Sequence, residues 1–105
     1  MLYYEYTVVS KDIDHIHTEL WYATAHAKTH GFDLLRILYT DVRPQGSALL
    51  REVRAMKRSG AIRFFLTPQE IGGDSAQARY FANKYPEAQA AVTGDGLDLY
   101  YMIGL

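Results

Sequence analysis

Cysteine is absent from this chain of 105 residues. Disulfide bridges and thiolate metal sites are therefore excluded, and a reducing compartment suits the composition. Proline occurs only three times and tryptophan once, so long stretches are free of helix breakers. No apolar run approaches the ~18 residues of a membrane span. Met1 leads straight into a strand-like segment, with no basic-then-apolar leader. A soluble cytoplasmic protein without a membrane partner is the expectation. Internal repeats, low-complexity tracts and linkers are missing too, so a single domain over residues 1–105 is expected.

What is present is an ordinary globular composition, 49% hydrophobic and 22% charged. At this length roughly 65% of the unfolded surface is buried on folding, which allows one core without staples. The formal charge of −1 is unevenly spread. Both ends are acidic. Between them lie Arg36, Arg43, Arg51, Arg54, Lys57, Arg58 and Arg63, against Asp41 and Glu52 alone. Such a basic middle segment suits phosphate, because Lys and Arg displace the counterions condensed on nucleic acid. A solvated helix face with a sign bias accounts for the same residues. DNA is the partner the segment suggests, through Arg51, Arg54, Lys57 and Arg58.

Tyr, Val and Thr over residues 2–9 predict a strand. Asp12 can cap a following helix, whose apolar stripe is Ile13, Ile16, Leu20, Ala23 and Ala27. His30 and Gly31 end it. Residues 34–40 predict a buried strand. Ser47 can cap a second helix, which buries Leu49, Leu50, Val53 and Met56 and stops at Gly60. Residues 61–66 predict a third strand. Asp74 is a candidate cap for a helix over 75–84 that ends before Pro86. The turn Gly94-Asp95-Gly96 precedes a last strand over 97–103. Alternation of strands and helices predicts an α/β fold: a single three-layer domain, its sheet mostly parallel, with helices on both faces.

In such a fold Ser10, at the carboxyl end of the first strand, stands where chemistry is usually placed. Its surroundings resemble the catalytic domain of serine recombinases, the resolvase and invertase family. The likeness begins with Tyr6-x-x-Val9-Ser10, similar to the strand that delivers that family's nucleophile. It continues through Gly31-Phe32-Asp33, then Asp41, then Arg43-Pro44 with Leu49-Leu50-x-x-Val53-Arg54 behind it. Gly60-Ala61-Ile62-Arg63 resembles the family's glycine turn into strand three. The resemblance spans most of the chain and implies a resolvase-like fold associated with DNA strand exchange. It assigns Ser10 as nucleophile, Arg43 as phosphate contact, Asp41 as its orienting acid and Tyr6 as a further site residue. No cofactor is implied, since a phosphoserine link conserves the bond energy.

Departures from the pattern bear on activity. Val8 replaces the strand-one arginine, and residues 67–74 contain no basic residue where the family has arginines. A guanidinium forks onto phosphate and keeps its charge, and losing one such stabiliser commonly costs ~10²–10³ in rate. The resemblance therefore implies a weakly active or inactive domain, acting by association with itself or with another protein. The local alternative for Ser10 is a loop serine hydrogen-bonded ahead of a helix.

Other readings stay open. One is a non-catalytic protein-interaction domain. A second is a metal-dependent nuclease, with Asp12 or Asp14, Asp41 and Glu70 gathering around Mg²⁺. A rival resemblance, to small RNA- and DNA-nicking domains of the Smr type, lies in the strand–Gly–Leu-Leu-rich helix region, without their Asp-Leu-His-Gly and His-Gly-Lys-Gly signatures. His15, Glu19, His26 and His30 share one helix stripe, too long to converge on one ion. Nine tyrosines are present, yet no alternation of aromatic and basic residues marks a base-stacking track.

Overall fold

The pattern of residues 3–8 puts alternate side chains on opposite faces of a strand. In the computed structural model, which describes residues 3–39, 47–67, 70, 76–84 and 100–105, this is β1 (Tyr3–Val8). It is followed by α1 (Ile13–Thr29), β2 (Leu34–Tyr39), α2 (Ser47–Arg58), β3 (Phe64–Leu66), α3 (Ala76–Lys84) and β4 (Tyr100–Gly104). Asp74, Pro86 and the turn at residues 94–96 lie outside the described residues.

Local chemistry fixes both ends of α1. The Asp12 carboxylate accepts hydrogen bonds from the backbone N–H groups of Asp14 (2.9 Å) and His15 (3.4 Å), as an N-cap should. At the other end Gly31 adopts a φ of 77°. Its N–H donates to Lys28 O, and that of Phe32 to Ala27 O. This paired closure needs a left-handed residue, which glycine supplies without a Cβ penalty. α2 ends in the same way. Gly60 has a φ of 80° and donates to Lys57 O, while Ala61 donates to Met56 O.

The sheet order is β1-β2-β4-β3. β1 pairs with β2 in parallel, Tyr3 opposite Leu34. β4 pairs antiparallel with both β2 and β3. The sheet is therefore mixed, and the expectation of a mostly parallel one is corrected: among the described residues two of the three ladders are antiparallel. Hydrophobic periodicity marks strands but carries no direction. Residues 85–99 are enough chain to enter the last strand from either end of the sheet. The third strand is also shorter than expected, since residues 61–63 precede β3.

One face of the sheet carries the main core. Tyr4, Tyr6 and Val8 of β1, Leu35, Ile37 and Tyr39 of β2, and Tyr101 and Ile103 of β4 point there. Ile16, Leu20 and Ala23 of α1 and Leu49, Val53 and Met56 of α2 cover them. α1 lies on β1 and β2, and α2 contacts β3 and α1. Full burial of each Leu or Ile stabilises by about 1.5–3 kcal/mol. The opposite face holds Leu34, Leu66 and Met102, with Tyr3, Leu38 and Phe64 packed beside them. There the Tyr80 ring of α3 meets Phe64 edge-on at 5.9 Å.

Gly104 of β4 sits opposite Phe64 of β3. A Cβ at Gly104 would overlap the Phe64 ring. Gly104→Ala should therefore lower stability by about 1–3 kcal/mol, measured by urea denaturation. Phe64→Leu in the same chain should return part of that loss, a coupling that a double-mutant cycle reads.

Candidate nucleic-acid interface

The charges of α2 are sorted by the helix itself. At 100° per residue, Arg51, Arg54, Lys57 and Arg58 fall on the side opposite Glu52, the only acid of the helix. All four cations are exposed, whereas Glu52 is buried. The Glu52 carboxylate faces α1, where one oxygen meets His17 Nδ1 at 2.5 Å and accepts a hydrogen bond from Trp21 Nε1 at 3.2 Å. It is thus held away from the basic side. Among the described residues none of the four cations has an ion-pair partner.

Two adjoining depressions run along this side. Ser47, Leu50, Arg51, Arg54 and Arg58 line one of about 330 Å³. Arg54, Lys57, Arg58 and Phe65 line another of about 440 Å³. Arg54 and Arg58 line both. Lys57 and Arg58 also lie in the last turn, where cations complement the helix dipole. Arg51 and Arg54 lie mid-helix, beyond reach of that effect. Arg51–Arg54, Arg54–Lys57 and Arg54–Arg58 are like-charge neighbours at three and four residues. Each such pair destabilises an isolated helix by about 0.2–0.5 kcal/mol.

Two of the other expected site residues, Ser10 and Tyr6, are described, and both belong to the β1 side of the sheet. Ser10 follows β1, at the margin of the sheet, and its hydroxyl accepts a hydrogen bond from the N–H of Asp12 (3.3 Å). β3, which carries Phe65, forms the opposite margin. Three interstrand spacings, about 14 Å, separate the two margins. Ser10 therefore does not share a phosphate-sized site with Lys57 and Phe65. Arg43 and Asp41 lie outside the described residues. Tyr6 is half-buried on the helix face, and its hydroxyl donates to a Glu19 oxygen at 3.1 Å. Burial, then the hydrogen bond and charge of Glu19, push the Tyr6 hydroxyl pKa up.

The acids and histidines also take local roles. Glu70 accepts from the N–H (2.9 Å) and hydroxyl (3.2 Å) of Thr67. Its own N–H returns to the Thr67 hydroxyl, the reciprocal pattern of a capping box. Asp12 caps α1. Among the described residues no three acids or histidines gather to hold a metal ion. On the expected histidine stripe, His26 packs against Tyr4 (4.9 Å) and His30 (4.1 Å). Among the described residues no helix is long and apolar enough to cross a membrane.

Sequence reasoning found the four cations of α2 and missed two features beside them. The meeting of His17 and Trp21 with Glu52 joins positions more than 30 apart, with no local signal. Phe65 reaches the cations from a different element. Comparison of the chain with models of protein families, with curated proteins and with solved structures gave no match.

Tyr101 lies in the core beside α2. Burial first, and then the charge of a neighbouring Tyr39, push its hydroxyl up to about 12, against a downward pull from Arg54. The folded state thus keeps this proton above the unfolded value of about 10. Its contribution is intact below pH ~10 and is lost as pH rises from there through the folded value. Tyr101→Phe should flatten the alkaline fall in stability, measured as denaturation midpoint against pH. An unchanged slope would place the titration on another group.

Proposed function

We propose that this chain is a DNA-associated, serine-recombinase-like domain with no strand-transfer chemistry of its own, binding phosphate backbone through α2. The single observation that carries the binding is the segregated face of that helix. Four exposed cations line two adjoining depressions while the one acid of the helix is buried against α1. A face that disfavours its own helix through three like-charge pairs becomes favourable once anions lie along it.

Several observations support the lack of catalysis. The Ser10 hydroxyl takes a local role, accepting a hydrogen bond at a helix start. It follows a margin strand, so it does not lie in the crevice between strands where open α/β sheets hold ligands. Val8 stands at the resemblance's strand-one arginine position. The resolvase-like three-layer arrangement belongs to the same proposal. It is supported by α1 and α2 on one face and by the Tyr80–Phe64 contact on the other. Association with a second copy or another protein completes the reading. Non-specific contacts of this kind give dissociation constants of only about 10⁻⁴–10⁻⁶ M, and joining two such faces multiplies the avidity.

If all four cations meet phosphates, log K for duplex DNA should fall against log salt with a slope of about −3 to −4. Arg51→Glu with Arg54→Glu should weaken binding more than tenfold and roughly halve that slope, read by fluorescence anisotropy. Equal binding by the variant would remove the proposal. Ser10→Ala should leave the affinity unchanged. Neither protein should yield a denaturant-resistant DNA adduct. An adduct formed by the native chain and lost in Ser10→Ala would restore nucleophilic catalysis.

A further inference from the structure

The basic depression has an aromatic wall. Phe65 belongs to the margin strand β3 and projects onto the helix face of the sheet, half-buried against the main core. It lines the same hollow as Arg54, Lys57 and Arg58. Lys57 Nζ lies 5.7 Å from the ring centroid, so a face of the ring is turned toward the cation. On its core side the ring meets Tyr101 edge-on, at 6.2 Å and 67°, which braces it.

Resting on the reading of α2 as a phosphate-binding helix, we propose that Phe65 is a base-stacking platform and that the site prefers single-stranded nucleic acid. In a duplex each base is stacked on its neighbours and offers no free face to a protein ring. An unpaired base does, and every base has such a face, so stacking tolerates any sequence. A ring set among cations that track a backbone is the combination found at single-strand sites. The lysine over the ring moves aside easily, since a lysine–aromatic contact at an exposed position is weak and its stem is flexible. A base then occupies the ring face while Lys57 joins Arg54 and Arg58 on flanking phosphates. Arg51 and Ser47, lining the adjoining hollow, extend the track along the helix. The hollow of about 440 Å³ falls within the usual size of ligand sites.

The test uses the full chain with fluorescein-labelled oligothymidylate and with a hairpin duplex of equal phosphate number. The native protein should bind the single strand about tenfold more tightly at one salt concentration. Phe65→Leu should lose roughly tenfold on oligothymidylate and little on the duplex, with the salt slope unchanged. Phe65→Trp should keep the affinity and show tryptophan quenching by the oligomer beyond any shown by the native chain. It thereby covers the case in which the leucine variant folds poorly. Equal binding of both DNA forms by the native protein would overturn the proposal. So would a Phe65→Trp chain with no added quenching. If either result comes with charge reversal at Arg51 and Arg54 still abolishing binding, stacking fails and the phosphate reading stands. If charge reversal changes nothing, both fall together.

Discussion

The antiparallel ladder between β2 and β4 governs the rest of the molecule. By taking the place beside β2, β4 sends β1 and β3 to opposite margins. α1 then settles over β1 and β2, and α2 packs against β3 and α1. Ser10, after β1, follows one margin of the sheet. Phe65, on β3, is carried toward the cations of α2.

The second constraint is the disposal of a single carboxylate. Glu52 in its position on α2 is turned inward, where His17 and Trp21 satisfy one of its oxygens. A buried carboxylate without such partners would carry a large desolvation penalty. Because these partners come from α1, the contact also locks the two helices together. Lys28, donating to Ala61 O at 2.5 Å, does the same at the far end of the pair. The outcome is a helix whose outer side has one sign of charge.

Much of the local structure was legible in the residues. Asp12 as cap, Gly31 and Gly60 as terminators, and the stripe of Ile16, Leu20, Ala23 and Ala27 are all read from short-range rules. Those rules hold because backbone N–H and C=O groups at helix ends must find partners within a few residues. The basic side of α2 was legible for a similar reason, since helical spacing alone gathers Arg51, Arg54 and Arg58. Direction in the sheet was not. An apolar run such as residues 100–104 packs equally well either way up, and only the competition for a place beside β2 selects one.

The sequence by itself determined the kind and chain order of β1 to β4 and α1 to α3, both ends of α1, the end of α2 and the charge of α2, because each is set by neighbours a turn or two away. Tertiary structure alone decided which strands lie side by side. It therefore decided that the serine follows one margin of the sheet and that an aromatic ring on the other margin stands among the cations. These are contacts between residues distant in the chain. Their energy comes from burial shared among several elements, which no local pattern records.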